Sequence, residues 1–197
     1  MIPRQLLVTT AILLALAIVI GIDVAHLRRR EAVIPPASRE APHVTAPSSR
    51  PTETITVWVA HDSGGLSTQT IVVPSFSERQ QRAEELLRGL LNIYVAKDSP
   101  HPIGAAAEIR DVYLVDPGVA VIDLNTAFAD EQTSGVLAEE LTVVSMIQTL
   151  SANVSGLTRV KFLVDGKDRD TLAGHADLSG FYDVAQVSQL AKQLLAQ

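Results

Sequence analysis

Between residues 109 and 125 the chain reads IRDVYLVDPGVAVIDLN, two short apolar runs meeting at one Asp-Pro-Gly break. Ile109, Val112, Leu114 and Val115 precede the break; Val119, Val121, Ile122 and Leu124 follow it. Short runs rich in β-branched residues, split by a Pro-Gly step, predict a β-hairpin of two ordinary strands. Pro117 falls early in the turn, where its fixed φ is tolerated, and Gly118 where φ turns positive. Asp116, ahead of the proline, is expected to accept local backbone N–H bonds as a turn residue. Both strands are expected in the middle of one small sheet, which the other elements must cover.

Residues 54–60 alternate Ile55, Val57 and Val59 against Thr54, Thr56, Trp58 and Ala60 and predict a first strand. After the loop His61-Asp62-Ser63-Gly64-Gly65, residues 66–73 predict a second extended segment ending at Pro74, its pairing with the first an edge hairpin or arm. A helix opens near Ser75, with Ser75 and Glu78 or Ser77 and Gln80 as its reciprocal cap. Ala83, Leu86, Leu87, Leu90, Leu91 and Tyr94 recur at three- and four-residue spacing and give it one apolar face. Gly89 lies inside that helix and costs about 1 kcal/mol relative to alanine unless close packing offsets it.

Residues 126–133 read as a connection anchored by Phe128, and Ser134 is expected to cap a second helix running to about residue 150. The apolar residues of that helix cover more than half its circumference, with Glu139, Glu140, Thr142 and Gln148 as the polar remainder, so burial on more than one side is predicted. Residues 159–164 (RVKFLV) give the last core strand, Val160, Phe162 and Val164 alternating with Arg159, Lys161 and Leu163, closed by Asp165-Gly166. Residues 167–183 are polar with isolated anchors (Leu172, Leu178, Phe181, Tyr182) and predict an ordered loop lying over the domain. Residues 184–197 form an amphipathic tail helix, with Leu190 and Leu194 on a stripe that docks at home or on a neighbour. The order β(β)-α-β-β-α-β predicts an α+β two-layer sandwich: a small mixed or antiparallel sheet with two principal helices on one face.

Ahead of this body, residues 1–5 form a short flank and residues 6–22 an apolar run interrupted only by Thr9 and Thr10. At ~1.5 Å per residue such a run just crosses a bilayer core of roughly 30 Å, which predicts a transmembrane helix or signal anchor; a cleaved signal peptide is the rival. Arg4 and the terminal amine precede it and Arg28, Arg29 and Arg30 follow, so the cation count alone points the soluble part inward. Residues 23–53 include Pro35, Pro36, Pro42, Pro47 and Pro51 and predict an extended tether.

Charge and composition exclude whole classes of chemistry. The chain has no cysteine, which rules out thiol catalysis, Cys-ligated zinc, iron–sulfur clusters and lipid attachment through an N-terminal cysteine. Net charge is −6, and the part beyond residue 53 is more acidic still, which argues against a nucleic-acid partner.

Catalytic candidates are His61 and Asp62 with Ser63, or His175 and Asp177 with Ser179. Neither sits in a nucleophile-elbow pattern, and solvated loop residues are the simpler reading. Asp165, Asp168 and Asp170 could gather calcium, but Lys167 and Arg169 oppose it, and the histidines are too scattered for zinc; no metal and no cofactor is expected. Asp123 lies in an otherwise apolar strand, where an ionised carboxylate needs partners; backbone amides at the start of the following connection are expected to supply them, with a surface or interface role as the alternative. Arg159 and Lys161 read as a two-residue cationic stripe, too small for a phosphate backbone.

The hairpin, both helices and the final strand together resemble the GerMN domain of the GerM-like sporulation and spore-germination proteins. The resemblance rests on residues 55–59, on Leu86-Leu87-Arg88-Gly89-Leu90, on the stretch from Val112 through Asp123-Leu124-Asn125, on Phe128, on Ile147-Gln148-Thr149-Leu150, and on residues 159–164 with Asp165-Gly166. It covers residues 54–183 and implies a membrane-attached, extracytoplasmic module without known enzymatic activity. Two departures stand out: many relatives are lipoproteins, and the sporulation protein itself carries two such domains, where one is read here. The resulting expectation is a noncatalytic binding or assembly module at the bacterial envelope, single-pass in the inner membrane through residues 6–22. Its expected partners are envelope proteins, copies of itself or peptidoglycan. The alternative is a hydrolase that binds or remodels the cell wall.

Overall fold

The computed structural model describes residues 51–115 and 117–195. The expected anchor and nearly all of the tether lie outside them, as does Asp116. Among the described residues no helix is long and apolar enough to cross a membrane.

The described chain is a mixed α+β body of two sheets and four helices. Strands β1 (Thr52–His61) and β2 (Gly65–Pro74) form a ten-residue antiparallel hairpin, in register from Thr52↔Pro74 to His61↔Gly65. Helix α1 (Arg79–Tyr94) follows, then β3 (Ile109–Val115) and β4 (Val119–Leu124). A short helix α2 (Thr126–Asp130) and the long α3 (Val136–Asn153) lead to β5 (Arg159–Val164), and the chain closes with β6 (Tyr182–Asp183) and α4 (Val184–Leu195).

The hairpin makes its own two-stranded sheet, and the other strands form a second sheet in the order β3-β4-β5-β6. The sequence alone placed the central hairpin mid-sheet; only β4 is interior, and β3 is an edge. Strands β4 and β5 run parallel, from Val119↔Arg159 to Leu124↔Val164, whereas β3–β4 and β5–β6 are antiparallel. A parallel neighbour needs a crossover, which α2 and α3 provide.

Local chemistry corrects both expected helix starts. Helix α1 begins after Glu78, whose side chain makes no capping bond, so neither serine closes the predicted box. Helix α3 begins after Gly135, not Ser134. The connection after β4 contains α2, capped by Asn125, whose side-chain oxygen accepts the Phe128 amide at 2.9 Å.

Helix α3 touches β1, α1 and α4; of the polar residues expected on its surface Glu140 is exposed, whereas Glu139, Thr142 and Gln148 are buried, as are Ser145 and Thr149. Helix α1 packs on α3, on the hairpin and against β3. Gly89 is where it approaches β2 most tightly. A Cβ there would stand 2.9 Å from both Ile71 Cδ1 and Val73 Cγ1, so close packing does account for a glycine inside a helix.

Gly118 carries the turn between β3 and β4 at φ +73. Its carbonyl accepts the amides of Thr158 (2.7 Å) and Arg159 (3.2 Å), joining the turn to the start of β5. A Cβ would meet the Gly156 carbonyl oxygen at 2.5 Å. Gly118→Ala combines left-handed strain with that clash and should lower stability by about 2–3 kcal/mol. The measurement is urea unfolding followed by the fluorescence of Trp58, the only tryptophan, with a lower midpoint at unchanged slope.

Candidate functional site

Three polar constellations tie the elements together, and each bears on a sequence-predicted residue. The first runs from the β1–β2 turn into the core. Asp62 Oδ1 lies 2.7 Å from His101 Nδ1, and His101 Nε2 lies 2.6 Å from the Thr142 hydroxyl. That hydroxyl also lies within hydrogen-bond distance of Gln132 Oε1 and the Ala138 carbonyl. Acid and hydroxyl sit on opposite ring nitrogens, the connectivity a relay would need. Yet His101 is 2% exposed and Thr142 0%, so no substrate carbonyl reaches the hydroxyl. Burial lowers the His101 pKa, against the opposing pull of Asp62. This trio joins a turn, a proline loop and a helix, and no local spacing in the sequence announces it. His61 takes no part: its Nε2 bonds the Ser67 hydroxyl at 2.8 Å.

The second constellation holds the loop before β6. Glu139, 0% exposed, receives the amides of Ala173 (3.0 Å), His175 (2.8 Å) and Ala176 (2.9 Å) on Oε2. Its Oε1 meets the Gly135 amide at 3.2 Å and His175 Nδ1 at 2.8 Å. Burial alone would push this carboxyl up; the His175 ring and the three loop amides outweigh it and hold the pKa at about 2. Ser134 reaches His175 on the same Nδ1 at 3.5 Å, so one nitrogen would have to serve both acid and hydroxyl and no relay exists. The expected partner of His175, Asp177, instead accepts the amide and hydroxyl of Ser179.

The third constellation ties the ends of β4 and β5. Asp123, 4% exposed, accepts the Gly166 amide at 2.8 Å and faces Arg110 Nε at 3.5 Å. Its amide therefore comes from the turn after β5 and not from the connection that follows β4, because the parallel pairing brings that turn alongside. Asp165, at φ 51, pairs with Arg110 at 2.8 Å and accepts the Thr126 hydroxyl. The Thr126 bond, with help from Arg110 and against partial desolvation, lowers the Asp165 pKa.

Lys161 corrects the cationic-stripe reading. It is 8% exposed, and its Nζ donates to the carbonyls of Leu178 (2.8 Å) and Ser179 (2.6 Å) and pairs with Asp168 at 3.0 Å. Arg159 stays on the surface, stacked 5.0 Å over the Phe181 ring. The calcium trio does not converge: Asp165 serves Arg110, Asp168 serves Lys161, and the Asp170 carbonyl accepts the Leu178 amide. Among the described residues no three His, Cys, Asp or Glu side chains are grouped to hold a metal ion.

Of the other predicted residues, Phe128 is buried on α2 and Pro117 and Gly118 form the turn. Leu194 packs partly on the core, while Leu190 stays exposed. Open grooves lie on the surface, and two of them border exposed apolar side chains. One of about 420 Å³ lies among α3, the loop before β6 and α4, where Phe181 and Leu190 are exposed beside Glu140 and Asp177. The other, about 640 Å³, runs between β2 and α1.

The fold and these sites define a small mixed α+β domain whose polar clusters fasten its own loops and whose open features are shallow surface grooves. The sequence matches the Germane family, described as sporulation and spore germination, over residues 38–170, and the chain belongs to that family. Among solved structures, the tandem GerMN domains of the sporulation protein GerM from Bacillus subtilis share the fold at a TM-score of 0.50 and 18% identity, over 68% of this chain and 46% of that one. The first GerMN domain of the same protein gives 0.48 at 18% identity, over 64% and 92%. A candidate lipoprotein from Clostridium perfringens gives 0.46 at 18% identity, over 67% and 86%. No curated protein matches the sequence.

The Glu139 clasp sets an acid limit. Its folded pKa lies below the unfolded value near 4.5, so the stability it contributes is full above about 4.5 and is lost as pH falls toward 2. Glu139→Gln should cost about 2 kcal/mol at neutral pH and flatten the pH dependence between about 2 and 4.5, measured by urea unfolding from pH 2 to 7.

Proposed function

We propose that this chain is a noncatalytic binding or assembly module of the bacterial envelope. Residues 6–22 anchor it in the inner membrane, and residues 23–53 let the folded domain reach its partners outside. The observation that carries this reading is the fate of the groups best suited to chemistry. Asp62, His101 and Thr142, and Ser134, His175 and Glu139, are bonded among themselves or to loop amides, and the members a reaction would need, Thr142 and Glu139, are sealed from solvent. A hydrolase needs a nucleophile, a base and an oxyanion site meeting in an accessible cleft. Two of the open grooves carry exposed apolar side chains, the ordinary surface of a protein-recognition site. Membership of a family described by sporulation and spore germination supports an envelope setting. The partners are envelope proteins or further copies of the chain, with peptidoglycan as a noncovalent ligand.

A wall-remodelling hydrolase is the rival, favoured only by the opposite-nitrogen wiring of His101. Crosslinking of the full-length protein in membranes, followed by capture, separates the two. Recovery of wall-synthesis or envelope proteins, equal for wild type and Asp62→Asn, is expected. Labelling by a mechanism-based hydrolase probe that Asp62→Asn abolishes would overturn the proposal, as would topology mapping that finds the C-terminus in the cytosol.

A further inference from the structure

The two edges of the β1–β2 hairpin are treated differently. The Ser75 amide donates to the Pro51 carbonyl at 2.7 Å, one step beyond the Thr52↔Pro74 pair, which fixes the parity of the ladder. Bonded pairs then fall at Glu53↔Val73, Ile55↔Ile71 and Val57↔Gln69, and the even-numbered residues of both strands turn their N–H and C=O groups outward. On β1 three of those groups have partners. The Thr56 carbonyl accepts Asn153 Nδ2 at 2.8 Å, the Trp58 amide donates to the Thr149 hydroxyl at 2.9 Å, and the Ala60 amide donates to the Tyr94 hydroxyl at 2.9 Å.

On β2 the same parity leaves the backbone groups of Thr68, Thr70 and Val72 facing outward, and among the described residues no hydrogen bond meets them. The strand reads GLSTQTIVVP, without one charged residue, so it lacks the usual guard of an exposed edge. Beside it runs the groove of about 640 Å³, floored by Ile71 and Val73 of β2 and by Gly89, Ile93 and Ala96 of α1 and its end. Val72 at its lip is 66% exposed.

We infer that β2 is a strand-addition site for an extended peptide segment of a partner protein. Resting on the binding-module reading above, this names the surface and the ligand class. The segment bonds its backbone to Thr68, Thr70 and Val72 and sends alternate small or β-branched side chains into the groove. Its charge follows from the rim, where Glu85 and Asp98 face Lys97, a net negative lining that suits Lys or Arg and rejects Asp and Glu. A second copy of β2 is the poorer occupant, because Asn92 and Ile93 of α1 and Ala96 just past its end border the edge and their symmetry mates would crowd the same space.

The test uses the full-length chain in detergent micelles and a blocked peptide alternating Thr and Val with a Lys at each end. Hydrogen exchange read by NMR should slow at the amides of Thr68, Thr70 and Val72 by at least tenfold when the peptide is added. Thr70→Pro removes one outward N–H and no hairpin bond, a change an edge strand tolerates. It should weaken peptide binding at least tenfold with the Trp58 unfolding midpoint unchanged, while Thr70→Val binds as wild type. Absence of peptide binding, protection confined to other surfaces, or equal binding by Thr70→Pro would overturn the site. Peptide-independent protection that grows with protein concentration would overturn it in favour of β2 pairing between copies. An envelope partner captured equally by wild type and Thr70→Pro sinks the β2 site alone and leaves the binding module standing, whereas hydrolase-probe labelling removes the module itself.

Discussion

Everything in this domain leans on α3 being buried on nearly every side while still carrying polar residues. Thr142, Ser145, Thr149 and Asn153 fall at three- and four-residue spacing and share one face. They meet His101, the Tyr94 hydroxyl, the Trp58 amide and the Thr56 carbonyl in turn. An enclosed polar group left without a partner costs roughly 1–3 kcal/mol. Four such failures would consume most of the ~5–15 kcal/mol by which an ordinary domain is stable. These bonds therefore decide where the hairpin sits, since apolar contact alone would let β1 slide along the helix. Tyr94 shows how dry this seam is: burial drives its pKa to about 12 despite bonds to Ser145 and Ala60.

A second consequence concerns the long segment between β5 and β6. It has two ion-assisted fastenings, Glu139 from α3 and Lys161 from β5, and each bonds backbone groups of the loop. Charged groups bonding to main chain are stronger than neutral pairs and do not depend on which side chains the loop carries. The loop can thus present Phe181 to solvent at 55% exposure while Leu172 and Leu178 stay sealed beneath it. A rigid loop with an exposed aromatic suits recognition better than it suits a catalytic lid, which must open.

What the sequence made legible is what periodicity encodes. The central hairpin, the apolar face of α1, the span of β5 and the burial of Phe128 all follow from spacing and β-branched content, as does the positive φ of Gly118. The failures at buried charges share one physical origin. A lysine in an alternating strand reads as solvent-facing, and a glutamate in a helix reads as surface; the partners that bury Lys161 and Glu139 are backbone groups of a loop many residues away, which no local pattern records. The first two strands read as an edge hairpin or arm, and the structure gives a sheet of their own; their register stayed out of reach because strand pairing depends on what the helices already cover. The helix starts failed differently: serines near each start raised the expectation of a cap, but Glu78 and Gly135 hold those positions.

The hairpin then shows how a stable core can leave one surface reactive. Tyr94, Thr149 and Asn153 bond the Ala60 amide, the Trp58 amide and the Thr56 carbonyl, so helix side chains close much of β1 on that side. Water satisfies the outward groups of β2, so leaving them unpaired costs the fold nothing. What the edge lacks is a deterrent: no charge and no interior proline along Gly65–Pro74, and α1 alongside supplies a wall with a glycine at its closest point. Gly89 keeps helix and strand close enough for one continuous groove; a larger residue would push Ile71 and Val73 away and part its floor. The same close contact that repays a glycine inside a helix thereby shapes the surface most open to an incoming strand.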